Sequence, residues 1–81
     1  MENRIALLSI IVEDRENVDV LNALLHEFSD SIIGRMGLPY KEKDMSLISS
    51  AMDATEDVIS TLSGKIGQIE GVTVKAAYSK H

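Results

Sequence analysis

The segment Ile5 to Val12, Ile-Ala-Leu-Leu-Ser-Ile-Ile-Val, constrains the fold more than any other part of the chain. Apart from Ser9, apolar side chains occupy odd and even positions alike. Successive side chains of an extended strand point to opposite faces, so this strand is apolar on both faces and belongs in the middle of a sheet. The run is too short to cross a bilayer, and Glu13, Asp14 and Arg15 close it. No small-residue cleavage site of the signal-peptide kind accompanies it. The expected compartment is the cytoplasm.

The rest of the chain supplies partners for that strand. Val18, Leu21, Leu24, Leu25 and Phe28 recur at helical spacing, while Asp19, Asn22, His26 and Glu27 lie off the stripe. This predicts an amphipathic helix for which Asp14 is a good N-cap. Ser31 to Leu38 reads as a second strand, interrupted by Gly34 and Gly37, with Pro39 marking an edge strand or the residue just past one. A charged connection from Tyr40 to Asp44 leads to a third strand, Met45 to Met52. Asp53, Ala54 and Thr55 then open a second helix, capped by Thr55 or Asp53, with Glu56 and Asp57 at its positive end. Val58, Ile59, Leu62 and Ile66 form its apolar stripe, and Gly67 is its expected stop. After a turn at Glu70-Gly71, Val72, Val74, Ala76 and Tyr78 alternate with polar or small residues as in a half-buried strand.

The order βαββαβ predicts an α+β, ferredoxin-like sandwich, one domain over residues 1–81. Right-handed crossovers give an antiparallel sheet in the order 4-1-3-2 with both helices on one face. The other face is left open. It carries either Ile5, Leu7 and Ile11 or Ala6, Leu8, Ile10 and Val12, more aliphatic surface than a monomer ordinarily exposes.

Composition points the same way. Of the 81 residues, 44% are hydrophobic but only 4% aromatic, and none is cysteine. The core must be aliphatic, and neither a disulfide nor a thiolate metal site can reinforce it. Association is the remaining way to bury more apolar surface, so a homo-oligomer, dimer or tetramer, is expected. Eight Lys and Arg against thirteen Asp and Glu give a formal charge of −5, with no basic stripe. That balance excludes duplex nucleic acid as a partner for the chain alone and argues against anionic membrane surfaces.

Catalytic patterns are missing. There is no cysteine nucleophile, no His-x-x-x-His pair on a helix and no phosphate-cradling glycine loop. A non-enzyme is expected. Gly34-Arg35-Met36-Gly37 is the strongest candidate for a binding site: the glycines let another group approach, and the arginine suits a carboxylate or phosphate. The competing reading is a β-bulge on an edge strand with Arg35 solvated or ion-paired. Glu13, Asp14 and Arg15 form a second candidate, at the first strand–helix turn, where capping and dipole compensation call for the same residue types. His26, near Glu27 and Asp30, reads as a surface histidine and not as a metal ligand. His81, the last residue, is expected to be disordered.

The chain resembles, over essentially its whole length, the small ACT-like proteins of the iron-only hydrogenase system regulator family. The segments that carry the resemblance are Arg4 to Leu7, Ile11 to Arg15, Ile32 to Tyr40 and Gly71 to Ser79; Ile33-Gly34-Arg35-Met36-Gly37-Leu38-Pro39-Tyr40 is the most specific. The resemblance implies an ACT-like ferredoxin fold, oligomers and a role in regulation. Met45 to Ser79 is also similar to the ligand-binding domain of the nickel-responsive repressor. That protein holds nickel with histidines and a cysteine. Here the strand around Ile33 to Arg35 has no histidine and the chain no cysteine, so the likeness carries the fold and not the metal site. Typical ACT domains bind amino acids near a glycine at the first strand–helix turn, where this chain has Glu13-Asp14-Arg15.

Two functional readings follow. In one, a regulatory module senses a small anionic ligand in a pocket between subunits, lined by Arg35 and the Glu13–Arg15 turn. In the other, an adaptor binds another protein through its open sheet face and has no small-molecule ligand. A transcription factor acting directly on DNA is opposed by the acidic charge. The ligand, any cofactor and the regulated target are not legible in the sequence.

Overall fold

A computed structural model describes residues 2–80; His81 lies outside the described residues. The elements are β1 (Asn3–Val12), α1 (Val18–Glu27), β2 (Ile32–Tyr40), β3 (Met45–Thr55), α2 (Glu56–Gly67) and β4 (Val72–Tyr78). Short 3-10 turns cover residues 15–17, 29–31 and 41–43. The strands form one antiparallel sheet in the order β2-β3-β1-β4, which is the expected 4-1-3-2 read from the other edge, and the fold is ferredoxin-like.

β1 settles which of its two apolar sets meets the helices. Ala6, Leu8, Ile10 and Val12 are buried, whereas Ile5, Leu7 and Ile11 are exposed. On β3, Ile48, Met52 and Ala54 join the buried set. Leu21 and Leu25 of α1 and Ile59, Leu62 and Ile66 of α2 close the core from above. The core is aliphatic, as the composition requires; Phe28 and Tyr78 pack only at its margin. Ser50 is the one polar residue in this buried layer, and its Oγ has no hydrogen-bond partner among the described residues.

The structure corrects several boundaries. β1 begins at Asn3, and β3 runs on to Thr55, past the expected end at Met52. The two extensions are one event: Asn3 pairs with Thr55, Arg4 with Ala54 and Ile5 with Asp53. Ladder pairing and burial of Ala54 hold Asp53, Ala54 and Thr55 in the sheet, not in the first turn of the helix. Of the two caps considered, Thr55 is used: its Oγ1 accepts from the Val58 amide at 3.3 Å. β2 carries Pro39 and Tyr40 as its last residues, which an edge strand permits. Gly67 closes α2 without a left-handed backbone; Gly71, at φ 77°, supplies the turn into β4.

The sheet contains one irregularity. Ile32 pairs with Met52, but Gly34 already pairs with Ala51, so Ile33 is an extra residue in β2. A bulge of this kind shifts every following side chain to the opposite face. No helix among the described residues is long and apolar enough to cross a membrane.

Candidate functional site

The open sheet face is built from one parity of each strand. Ile5, Leu7 and Ile11 of β1 stand beside Leu47 of β3, and beyond the bulge Met36 and Leu38 of β2 join them. Met36 is 76% exposed and Leu38 60%. Between the β2 and β1 side chains lies a shallow apolar trough of about 500 Å³ floored by Leu47 and Ser49. Toward β4 the face becomes polar: Lys75 pairs with Ser9 and Thr73 with Ile11. Along the face Gly34, Ala51, Leu7 and Ala77 fall in one row, so Leu7 rises among small neighbours.

Arg35 lies on the other side of the sheet. The bulge at Ile33 places it opposite Ser50, on the helix-covered face, although the edge position leaves it exposed. One of its Nη atoms donates to Oδ1 of Asn22 on α1 at 2.8 Å. Together with Leu25, His26, Ser29 and Ile32 this pair lines a groove of about 360 Å³ between α1 and β2. Gly34 faces open space on the sheet's free side, and Gly37 packs near Ile48, where an added Cβ would sit 3.8 Å from its Cγ1.

The Glu13–Arg15 turn is elsewhere. Asp14 caps the 3-10 turn, its Oδ1 accepting from the Glu16 amide at 3.0 Å. The Glu13 amide donates to the Gly71 carbonyl at 2.7 Å, and Arg15 reaches Asp44 across 3.5 Å. Arg35 shares its row with Ser50 and Leu8, and Glu13 follows Val12, about 13 Å or more along the sheet. Within one chain the structure therefore does not bring Arg35 and this turn together.

Strand placement adds an arginine that the sequence reading left outside the sheet. Arg4 lies within β1. It donates to the Ser79 carbonyl at 2.9 Å, lies 3.8 Å from Glu56 and stacks 4.6 Å from the Tyr78 ring centre. These contacts tie the start of β1 to β4 and α2. The signal for it was the parity of β1: Arg4 shares its face with Ala6 and Leu8. His26, Glu27 and Asp30 are exposed, and the described residues include no group of three or more His, Cys, Asp or Glu placed to hold a metal ion.

Comparison with known proteins bears on identity. The TM1266-like family, described as "Iron-only hydrogenase system regulator, putative", matches residues 4–76. The solved structure of the uncharacterized protein TM1266 from Thermotoga maritima is 45% identical, covers 98% of this chain and 100% of that one, and superposes with a TM-score of 0.92. The solution structure of the C-terminal domain of the MgtC protein from Mycobacterium tuberculosis covers 98% of this chain and 90% of that one at a TM-score of 0.75; at 11% identity it shares the fold alone. No curated protein matches the chain. A family match over residues 4–76 and a full-length structural relative at 45% identity agree, and the chain belongs to the TM1266-like family.

Proposed function

We propose that this chain is a non-enzymatic regulatory module of the iron-only hydrogenase system, working in the cytoplasm as a homo-oligomer joined through its open sheet face and responding to a small anionic ligand. The carrying observation is the exposed aliphatic set on that face: Ile5, Leu7, Ile11, Met36, Leu38 and Leu47. The family description supports regulation as the class of role.

Area favours a second copy as the occupant. The chain exposes 5420 Å². A compact monomer of 8.9 kDa exposes roughly 4,800 Å². The surplus comes from an elongated, one-sided sandwich of 41 × 19 × 17 Å. Four strands at about 4.8 Å spacing and ten residues at about 3.3 Å give a face about 19 Å by 33 Å. That footprint, about 630 Å², falls at the low end of the roughly 600–1,000 Å² per partner of a standard interface. An apolar centre with Asp53 and Lys75 toward its margins also follows the usual anatomy of an interface.

Native mass spectrometry of the protein purified from its own organism tests the reading. It predicts an even multiple of the 8.9 kDa chain together with a small bound molecule. A bare monomer, or a complex with an unrelated protein and no small molecule, overturns it; the second result establishes the adaptor reading.

A further inference from the structure

We propose that the groove between α1 and β2 is a binding site for a small organic carboxylate, held by the Arg35 guanidinium. The proposal rests on the ligand-sensing part of the reading above and supplies its site and chemical class.

Arg35 reaches this groove because of the Ile33 bulge; in an unbroken register it would pair with Ser49 and join the open face. A guanidinium offers five N–H donors in a planar fork. The 2.8 Å bond to Asn22 Oδ1 engages one of them and holds the group against α1, and Asn22 is its one hydrogen-bond partner among the described residues. The remaining donors suit the two oxygens of a carboxylate. His26 follows Asn22 by one helical turn on the same face of α1, and Ser29 lies in the turn that ends the helix. Both add polar contacts to the lining.

Two features select the ligand class. In a chain of net charge −5, no acidic side chain lines this groove; Glu27 and Asp30, next in sequence to the lining residues His26 and Ser29, are exposed and outside the lining. The groove near Glu2, Arg4, Glu56 and Asp57 is acidic by comparison. Leu25, which is buried, and Ile32, which is half-buried, give the α1–β2 groove an apolar floor. A bare inorganic anion makes no use of that floor, whereas a carboxylate with a short carbon chain covers it. A volume of about 360 Å³ falls at the small end of ligand sites.

The test is a titration of the full-length, 15N-labelled chain with acetate, succinate, citrate and L-glutamate, followed by amide chemical shifts. Inorganic phosphate and sodium chloride at matched ionic strength form separate arms. At least one carboxylate is expected to give saturable shifts centred on residues 22–35, with phosphate weaker. Losing a charge-assisted fork lowers affinity roughly 10- to 100-fold in Arg35→Ala. Arg35→Lys keeps the charge without the fork and is expected to weaken binding as well, so it decides the matter if Arg35→Ala fails to fold. Saturable shifts that map elsewhere, that persist in both variants, or that favour phosphate overturn the carboxylate site while leaving ligand sensing standing. No saturable shift in any arm overturns both.

Discussion

Replacing Leu7 with Asp probes the open face at its centre. Leu7 is 47% exposed in the single chain and sits in a row with Gly34, Ala51 and Ala77, none of which shields it. Complete burial of a leucine side chain contributes about 1.5–3 kcal/mol. The part still exposed is therefore worth about 0.7–1.4 kcal/mol per copy, or about 1.5–3 kcal/mol when two copies close on each other. An aspartate at the same place adds the desolvation of an unpaired carboxylate, several kcal/mol more if it stays buried. Association should weaken by at least about tenfold to a hundredfold, each 1.4 kcal/mol being a factor of ten. Folding of the single chain should lose about 1–2.5 kcal/mol, from the half of the side chain already covered by its own sheet and from the poorer strand preference of aspartate. Sedimentation equilibrium at micromolar concentration reads the association, and urea unfolding at low protein concentration reads the fold. Wild-type protein that sediments as a monomer, or a Leu7→Asp variant that associates like wild type, refutes the reasoning.

Three further substitutions test the chain's internal construction. At Gly71, φ is 77° and an added Cβ would lie 2.7 Å from Asp14 Cβ, so Gly71→Ala should lose about 2 kcal/mol or more and about 10 °C of melting temperature by calorimetry. Ser50→Ala removes a buried hydroxyl that has no partner among the described residues, and it should leave stability unchanged or raise it by about 1 kcal/mol in urea titrations; a loss of that size would mean the hydroxyl is paired. Thr55→Ala deletes the oxygen that accepts from Val58 at the start of α2 and should cost about 1 kcal/mol by the same measurement, with Thr55→Ser restoring most of it.

Family membership was legible from a resemblance carried by particular residues, above all Ile33 to Tyr40, and the family match over residues 4–76 bears that out. The way those residues are used was not legible. Arg35 stood out because glycines flank it, but which face it occupies depends on one extra residue in β2. Its partner Asn22 lies thirteen positions away on a helix, and local periodicity marked Asn22 only as a residue off the apolar stripe. The Glu13–Arg15 turn, in contrast, uses Asp14 for capping, but of the 3-10 turn over residues 15–17 and not of α1 itself, whose N-cap residue Asn17 makes no side-chain cap bond.

Local chemistry by itself determined the order of elements, the aliphatic core and the central place of β1. Residues 5–12 are apolar at both parities, and only a strand with neighbours on both sides can use them. That doubled pattern is also why the sequence could not say which parity meets the helices: either set would make a core. Tertiary packing decided it, because α1 and α2 cover one face of the sheet and their stripes close over Leu8 and Ile10. Tertiary pairing likewise carried β3 on to Thr55, since β1 offered it partners back to Asn3. The bulge at Ile33 belongs to the same class. A strand's register is a relation between two segments, and a single extra residue in one of them turned Arg35 toward α1 and Met36 and Leu38 toward the open face.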